Sequence, residues 1–594
     1  MKTILKIVTF FAFALLLMSC EDMFEPKNEN NSDFNRVYKD PGFAEGLLAS
    51  AYARVPYLSL ERGNEATVTI SDVATDDAVT NDLQSVYLGM ATGSWSAISN
   101  PLNIWNDCNA AMIYLDQFMS IIDTVQWKPS NQEISALFVD RFKGEAYGLK
   151  GVIQYHLLQT TAGYDDSGQL VGTPFYTDDR NFNIPRSSFA ESVAQINSDF
   201  DKALEYLITD DYKNATSASE LPAKYAGVDI NNYNLVFGNL MNQRLSGRIV
   251  KAYKARLALL EASPAFSPDW ESNTALWAKA ANYAGEVLQT IDGISGLDSN
   301  GHKFYHQSAG VDNISLASGL DSKETIWRRQ HSTTITREKL CFPPSMYGNG
   351  RINPTQNLVD AFPMANGKPI SDATSGYDAS KPYNNRDPRL SLYIAYDGGK
   401  IGSNTIATRM GGGPDAKGAG VNATRTGYYL KKMLREDAIA NPAGTQAKRH
   451  FETYMRYTEI FLTYAEAANE AWGPDGKGSF SFSAKDVIGA IRQRAGITND
   501  SYLPLVTTKT QMRELIRNER RIELCFEGSR FWDLRRWKAN LTEPAKGIDI
   551  NNDGSIAGIV TVEERKYDND YMHYGPLPES EVVKFSALEQ NKGW

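Results

Sequence analysis

Apolar residues recur at helical spacing along most of this chain, and one stretch breaks the rule. Phe43, Leu47 and Ala51 open a first helix after Asp40-Pro41, a start signal because proline presets φ where no amide partner is needed. Ile104, Cys108, Ala111, Leu115 and Met119 step along 103–122. The pattern predicts further helices near 133–162, 188–208, 246–262, 274–291, 451–472, 484–495 and 509–527. In the pair 246–262 and 274–291, Ala252, Ala255, Leu259 and Ala262 line one face and Trp277, Ala281, Ala284 and Leu288 the other. Small residues among large ones let two helices approach closely, as in tetratricopeptide-type hairpins. Between about 296 and 440 Gly, Asn, Ser and Pro take over. Short strands are predicted at 390–394 and 428–430, a loop at Gly411–Pro414, and a buried strand at Glu324–Trp327. The fold class that follows is mainly α. It is a tetratricopeptide-like scaffold of helical pairs with a large loop-rich region and a few short strands.

The helix ending near 527 carries an anomaly. Met512, Leu515, Ile522 and Phe526 form an apolar stripe, and the position completing it is Glu519. A carboxylate there is costly unless paired. Glu519 is therefore expected to be buried against an arginine of the same corner, among Arg517, Arg520, Arg521, Arg530, Arg535 and Arg536. Gly528 should end the helix. Ser529 should cap a second one that carries Phe531, Trp532, Leu534 and Trp537. These charges read as structural, since helical ion networks are more often scaffold than chemistry.

The stretch RNERRIELCFEGSRFWDLRRW, residues 517–537, resembles the C-terminal signature of the SusD/RagB family of surface nutrient-binding lipoproteins. A second stretch similar to the family closes the chain, with Pro576, Pro578, Glu581 and Gln590-Asn591-Lys592-Gly593-Trp594, and a third runs from Arg456 to Ala467. The resemblance implies helical pairs. It also implies a protein that caps a SusC-like TonB-dependent outer-membrane transporter and hands it an oligosaccharide, or in some members a peptide.

Length alone would suggest about four domains, yet the returning helical texture after 440 points to one body over 33–594. That body is expected to comprise a helical scaffold at about 41–295, a loop-rich ligand side at about 296–440 and a C-terminal part at 451–594. Lys2 and Lys6 followed by the apolar run Ile7–Met18 read as a leader over 1–19, too short to span a membrane. Leu17-Met18-Ser19-Cys20 looks like a lipobox, which makes Cys20 the lipidation site and 20–32 a polar tether. Glu21 and Asp22 are similar to the surface-export signal of the family's bacteria, which implies an outer-membrane anchor exposed at the cell surface.

Lys+Arg 61 against Asp+Glu 71 gives a net charge of −10, which argues against a nucleic-acid partner. Cys108, Cys341 and Cys525 are too few for a disulfide framework. Neither CxxC nor HExxH spacing occurs, so no metal or other cofactor is expected. Asp549, Asn551, Asp553 and Gly554 imitate the start of a calcium loop, but its twelfth position is Val560, leaving an Asx-rich turn as the simpler reading. No catalytic motif stands out, and nothing singles out a carboxylate pair for sugar hydrolysis. The reading is a non-enzymatic glycan-binding lipoprotein. The alternatives are a peptide-binding member of the same family, a surface glycosidase, and a helical adaptor.

The resemblance implies a ligand site where a loop after the first helix meets the middle region. The matching segments are 72–95, with Asp76, Asp77, Asp82 and Trp95, and 327–351, with Trp327, Arg329, Tyr347 and Arg351. Trp95 and Tyr347 are expected as stacking platforms and Asp77 and Arg351 as hydrogen-bonding groups. Trp327 joins them, although its own segment reads as a buried strand.

Overall fold

The computed structural model describes residues 37–56, 70–176, 181–315 and 320–594. The leader at 1–19, Cys20 and the tether at 20–32 lie outside the described residues. Among the described residues no helix is long and apolar enough to cross a membrane.

The first helix, α1 (Pro41–Tyr52), begins as its sequence predicts, with Asp40 Oδ1 accepting from Phe43 N at 2.8 Å. There follow α2 (Trp105–Ile121), α3 (Gln132–Thr161), α4 (Phe189–Tyr206), α5 (Ile230–Phe237), α6 (Gly247–Ala262) and α7 (Thr274–Gln289). After the loop-rich region come α8 (Tyr457–Trp472), α9 (Ala484–Arg494), α10 (Lys509–Leu524) and α11 (Ser529–Arg536). α1 packs on α2, α2 on α3, α3 on α4, α6 on α7, α7 on α8, and α8 on α10. The protein is mainly α, a tetratricopeptide-like series of helical pairs.

Close approach of these helices needs glycine on α3. A Cβ on Gly148 would lie 2.1 Å from Leu245 Cδ2, and one on Gly151 would lie 2.4 Å from the Phe200 ring. Gly151→Ala gains about 1 kcal/mol of helix propensity but overpacks by roughly 1–3 kcal/mol. The net expectation is a loss of about 1 kcal/mol in urea denaturation; a gain in stability would show that Phe200 moves aside freely.

The strands form two-stranded antiparallel ribbons. Among them are β1 (Ala78–Thr80), β2 (Thr325–Arg328), β3 (Ile352–Pro354), β4 (Ile394–Ala395), β5 (Tyr429–Leu430), β6 (Thr453–Arg456), β7 (Ala545–Ile550) and β8 (Ile556–Glu563). β1 pairs with β3, β2 with β6, β4 with β5, and β7 with β8. Two expectations are corrected here. Most of 390–394 is the end of a short helix, Pro388–Tyr393, because Asp387 caps Arg389 N and Pro388 sits in the first turn. The helix expected from 451 starts only at Tyr457, because Thr453–Arg456 is claimed by the ladder of β2. The calcium-like residues make the β7–β8 turn: Asp553 Oδ1 accepts from Ser555 N at 2.9 Å, and Asp549 pairs with Lys417 at 2.6 Å.

Two apolar cores meet at the 517–537 corner. α10 gives Met512, Leu515 and Ile516 to the core between the helical pairs. Ile522, Phe526, Phe531 and Leu534 go to a second core shared with 70–102 and the loop-rich region. Glu519 is fully buried between them, as its stripe predicts, but its partner is not from the corner. Arg389 Nη1 reaches Glu519 Oε1 at 2.6 Å, and Arg492 Nη1 lies 3.6 Å from Oε2. The corner arginines are taken by other acids, Arg520 and Arg536 by Asp533 and Arg521 and Arg530 by Asp76, which is why local spacing misassigned the pair. Ser529 is not the cap of α11 either: the cap position is Gly528, left-handed at φ 78°, with no side-chain cap.

Candidate functional site

The segment 70–83 is built around its contact with the corner. Phe526, at φ 61°, and Gly528, at φ 78°, turn the chain between α10 and α11. Asp72 meets them, with Oδ1 accepting from Phe526 N and Oδ2 from Gly528 N, each at 3.0 Å. Burial and the charge of Asp77 push its carboxyl up to about 7 against the pull of those amides. Asp76 takes a bidentate fork from Arg530 at 2.9 and 2.8 Å and a second contact from Arg521 at 2.9 Å. Burial opposes its ionisation, yet the two arginines outweigh it and hold the carboxyl below the usual range. Asp77 accepts from Arg521 Nε at 2.7 Å; its burial raises the carboxyl more than Arg521 lowers it.

Pinned in this way, the chain enters β1. The β1–β3 register sets Thr80 opposite Ile352, so the next residues outward, Asn81 and Arg351, face each other. Arg351 Nη1 donates to Asn81 Oδ1 at 3.2 Å, and Asn81 Nδ2 donates to the Asn349 carbonyl at 2.8 Å. Gly350 is left-handed at φ 55° and a Cβ there would sit 2.5 Å from the Asn422 carbonyl, so the 343–350 loop can touch the 417–425 loop only with glycine.

These pieces enclose an open cleft of about 610 Å³, lined by Asn81, Asp82, Leu83, Arg351, residues 417–425 and the β8 residues Val560–Val562. Lys417 is paired with Asp549 and Arg425 with Glu563, each at 2.6 Å. That leaves Arg351 and Asp82 as opposite charges facing the same space. Arg351 offers a fork of N–H donors and Asp82 a carboxylate whose Oδ1 accepts only a local amide, Gln84 N at 3.1 Å, among described residues. Leu83 and Val421, 74% and 85% exposed, supply apolar rim. The volume lies within the range of small-molecule sites, and donors, acceptor and apolar rim together suit a neutral molecule rich in hydroxyls.

The expected site residues divide. Arg351 lines the cleft, whereas Tyr347, 56% exposed, stands outside the lining on the loop that leads to Arg351. The other three belong to the interior. Trp95 is 5% exposed, edge-on to Trp594 at 4.7 Å and to Tyr567 and Phe531, and it covers the buried Arg535 guanidinium at 4.9 Å. Trp327 is 2% exposed on β2, with its Nε1 donating to the Gln243 carbonyl at 2.9 Å. Asp77 is spent on Arg521. None of these three presents a free face, so the ligand roles expected of them are withdrawn. Arg329 is paired with Glu452 at 2.8 Å. Sequence reasoning missed Asn81, Leu83, Val421 and Asn422; the signals were the Asn-Asp turn after a strand and the glycine-rich 417–422 loop.

Residues 314–594 match the model of the SusD family. A SusD-like protein of Formosa agariphila is 30% identical over 174 residues, which are 27% of this chain and 29% of that protein. Among solved structures, a SusD-like protein of Bacteroides fragilis shares 22% identity at a TM-score of 0.68, covering 95% of this chain and 99% of its own. A SusD-like carbohydrate binding protein of the same species shares 20% at 0.67, covering 93% and 100%. A SusD homolog of Bacteroides thetaiotaomicron shares 16% at 0.59, covering 95% and 100%. At these identities the structures are alike in fold.

Proposed function

We propose that this chain, whose residues 314–594 match the SusD family model, is a glycan-binding lipoprotein of the outer-membrane surface that passes oligosaccharides to a SusC-like TonB-dependent transporter. The observation that carries the binding step is the cleft in which Arg351 and Asp82 stand as donor and acceptor on a lining otherwise closed by its own ion pairs. A sugar hydroxyl can accept from Arg351 and donate to Asp82, and Tyr347 and Leu83 suit the C–H faces of the ring. The carbohydrate-binding relative from Bacteroides fragilis supports the same ligand class. Hydrolysis requires two positioned carboxylates; among the described residues the cleft lining carries one, Asp82, which favours capture over turnover. Lipid attachment at Cys20 and delivery to the transporter rest on the lipobox and on the family's expected arrangement.

A glycan array followed by calorimetry on the full chain tests the reading. Open stacking with few charged contacts should give about −4 to −7 kcal/mol, millimolar to roughly ten micromolar. Arg351→Ala and Tyr347→Ala should each weaken binding about tenfold, or about 1.4 kcal/mol, with the melting temperature nearly unchanged. Full affinity in both variants would move the site elsewhere, and release of shortened glycan would make the protein an enzyme.

A further inference from the structure

Charge is spread unevenly over the lining of the cleft. Three of the lining residues are cations, Arg351, Lys417 and Arg425, and one is a carboxylate, Asp82. Lys417 and Arg425 meet acids that stand outside the lining, Asp549 and Glu563, each at 2.6 Å. Glu563 is shared with Arg565, which is buried. Arg351 forms no ion pair among the described residues; it donates to the neutral Asn81 Oδ1 at 3.2 Å. Without Asp82 the cleft would therefore be positive. Asp82 follows Asn81 directly and is part-exposed at the cleft. Its place is fixed by the turn it makes. The Asp82 amide donates to Thr80 Oγ1 at 3.0 Å, its Oδ1 accepts from Gln84 N at 3.1 Å, and its carbonyl accepts from Ser85 N at 3.1 Å. That turn needs an oxygen at Oδ1 and makes no use of a negative charge, since asparagine closes the same turn.

A bound molecule need not touch Asp82 to feel its charge. A compact space of 610 Å³ is about 8.5 Å on a side, close to the screening length of about 8 Å at physiological salt. Over such a distance a closed ion pair acts as a dipole and fades faster than a single charge, so Arg351 and Asp82 weigh most on a ligand. A neutral hydroxyl can accept from the one and donate to the other. A carboxylate or sulfate drawn to Arg351 would meet the like charge of Asp82 within one screening length. A site rejects a wrong ligand by such repulsion without binding the right one more tightly.

Resting on the glycan reading of the cleft, we propose that Asp82 is its specificity-determining residue, which admits neutral glycans and turns away those carrying a carboxylate or a sulfate ester. The test presents the full chain with an array of matched pairs, each a neutral oligosaccharide beside its counterpart with a C6 carboxylate or a sulfate ester, and titrates the hits by calorimetry. The wild type should bind the neutral member of a pair at least as tightly as the acidic one. Asp82→Asn, which keeps the turn, and Asp82→Ser, which keeps it more weakly, should each raise the acidic-to-neutral affinity ratio by about fivefold or more. The gain should shrink as salt rises from about 0.1 to about 1 M, because the screening length falls from about 10 to about 3 Å. Arg351→Gln should move the ratio the other way. Glu286→Gln removes an equal charge from an exposed position of α7 outside the lining and should leave the ratio unchanged. Circular dichroism and melting establish that the variants fold. A wild type that prefers the acidic member, or a ratio unmoved in both Asp82 variants, would overturn the proposal and leave the glycan reading standing. Binding of no glycan of either kind would overturn both.

Discussion

Replacing Arg389 by methionine is expected to destabilise the protein by at least about 3–5 kcal/mol, the range for breaking a buried ion pair. The fully buried guanidinium sits among three fully buried carboxylates. Nη1 donates to Glu519 Oε1 at 2.6 Å and Glu523 Oε2 at 2.8 Å, while Nη2 and Nε hold Asp387 at 2.8 and 3.2 Å. Methionine fills the space and leaves those acids without their shared cation. Glu519→Ala should cost less, toward the lower end near about 3 kcal/mol, because Arg389 keeps Glu523 and Asp387, and Arg492 keeps Asp500 at 2.6 Å. The double variant should be more stable than the sum of the singles predicts. Urea denaturation of the four proteins checks this; an Arg389→Met protein within 1 kcal/mol (about one-fifth to one-third of the expected loss) of wild type would sink it. A separate buried cluster, Glu466 with Arg536 and Arg520, sets the acid limit of the fold. Burial opposes ionisation of Glu466, but Arg536 outweighs it and holds the carboxyl at about 2, below its ordinary 4.5. A depressed acid contributes stability that is complete above 4.5 and disappears as the pH falls toward 2, so unfolding should set in across that window.

Glu519 shows how far the sequence is legible. Its burial could be read because helical spacing is local: Leu515 and Ile522 fix which face points inward. Its partner could not, because Arg389 lies 130 residues away on a short helix that the alternation at 390–394 disguised as a strand. The corner's own arginines had been offered for that role, and their surplus over nearby acids was the overlooked clue. Arg521 and Arg530 take their carboxylates from Asp76 and Asp77 on an irregular stretch. Asp77, in a stretch without periodicity, is expected to hydrogen-bond a ligand; the structure makes it interior, together with Asp72 and Asp76. Trp95 misled for a related reason. It follows Gly93-Ser94 in polar surroundings, and only the arrival of Phe531, Tyr567 and Trp594 from the far end of the chain covers it. Helical pairs follow from spacing within one segment, whereas the cleft depends on register between β1 and β3, which spacing does not report.

Asp72→Ala is expected to loosen the corner and the cleft together. Phe526 holds a left-handed φ of 61°, a conformation that costs a bulky residue about 1–2 kcal/mol. The Asp72 carboxyl is what its amide and that of Gly528 receive in return. Removing it orphans two buried N–H groups at about 1–3 kcal/mol each. Relief of the carboxyl's own desolvation offsets part of that, so a net loss of about 2–3 kcal/mol is expected in urea denaturation. Amide exchange at Phe526 and Gly528 should accelerate by more than tenfold, as opening becomes easier by about 1.4 kcal/mol or more. Glycan affinity at the cleft should fall as well, because Asn81 and Asp82 follow the same pinned segment. Asp72→Asn separates charge from shape. In the wild type the folded carboxyl sits near 7 against an ordinary 3.8, chiefly through burial. A raised acid favours the protonated fold, so its contribution is complete below 3.8 and is lost as the pH rises through about 7. Wild type should therefore lose stability relative to Asp72→Asn between these values, by up to about 1.4 kcal/mol per pH unit. Parallel pH profiles for the two proteins would show that Asp72 does not titrate there. Unchanged exchange at Phe526 and Gly528 in Asp72→Ala would show that the corner holds its turn without it.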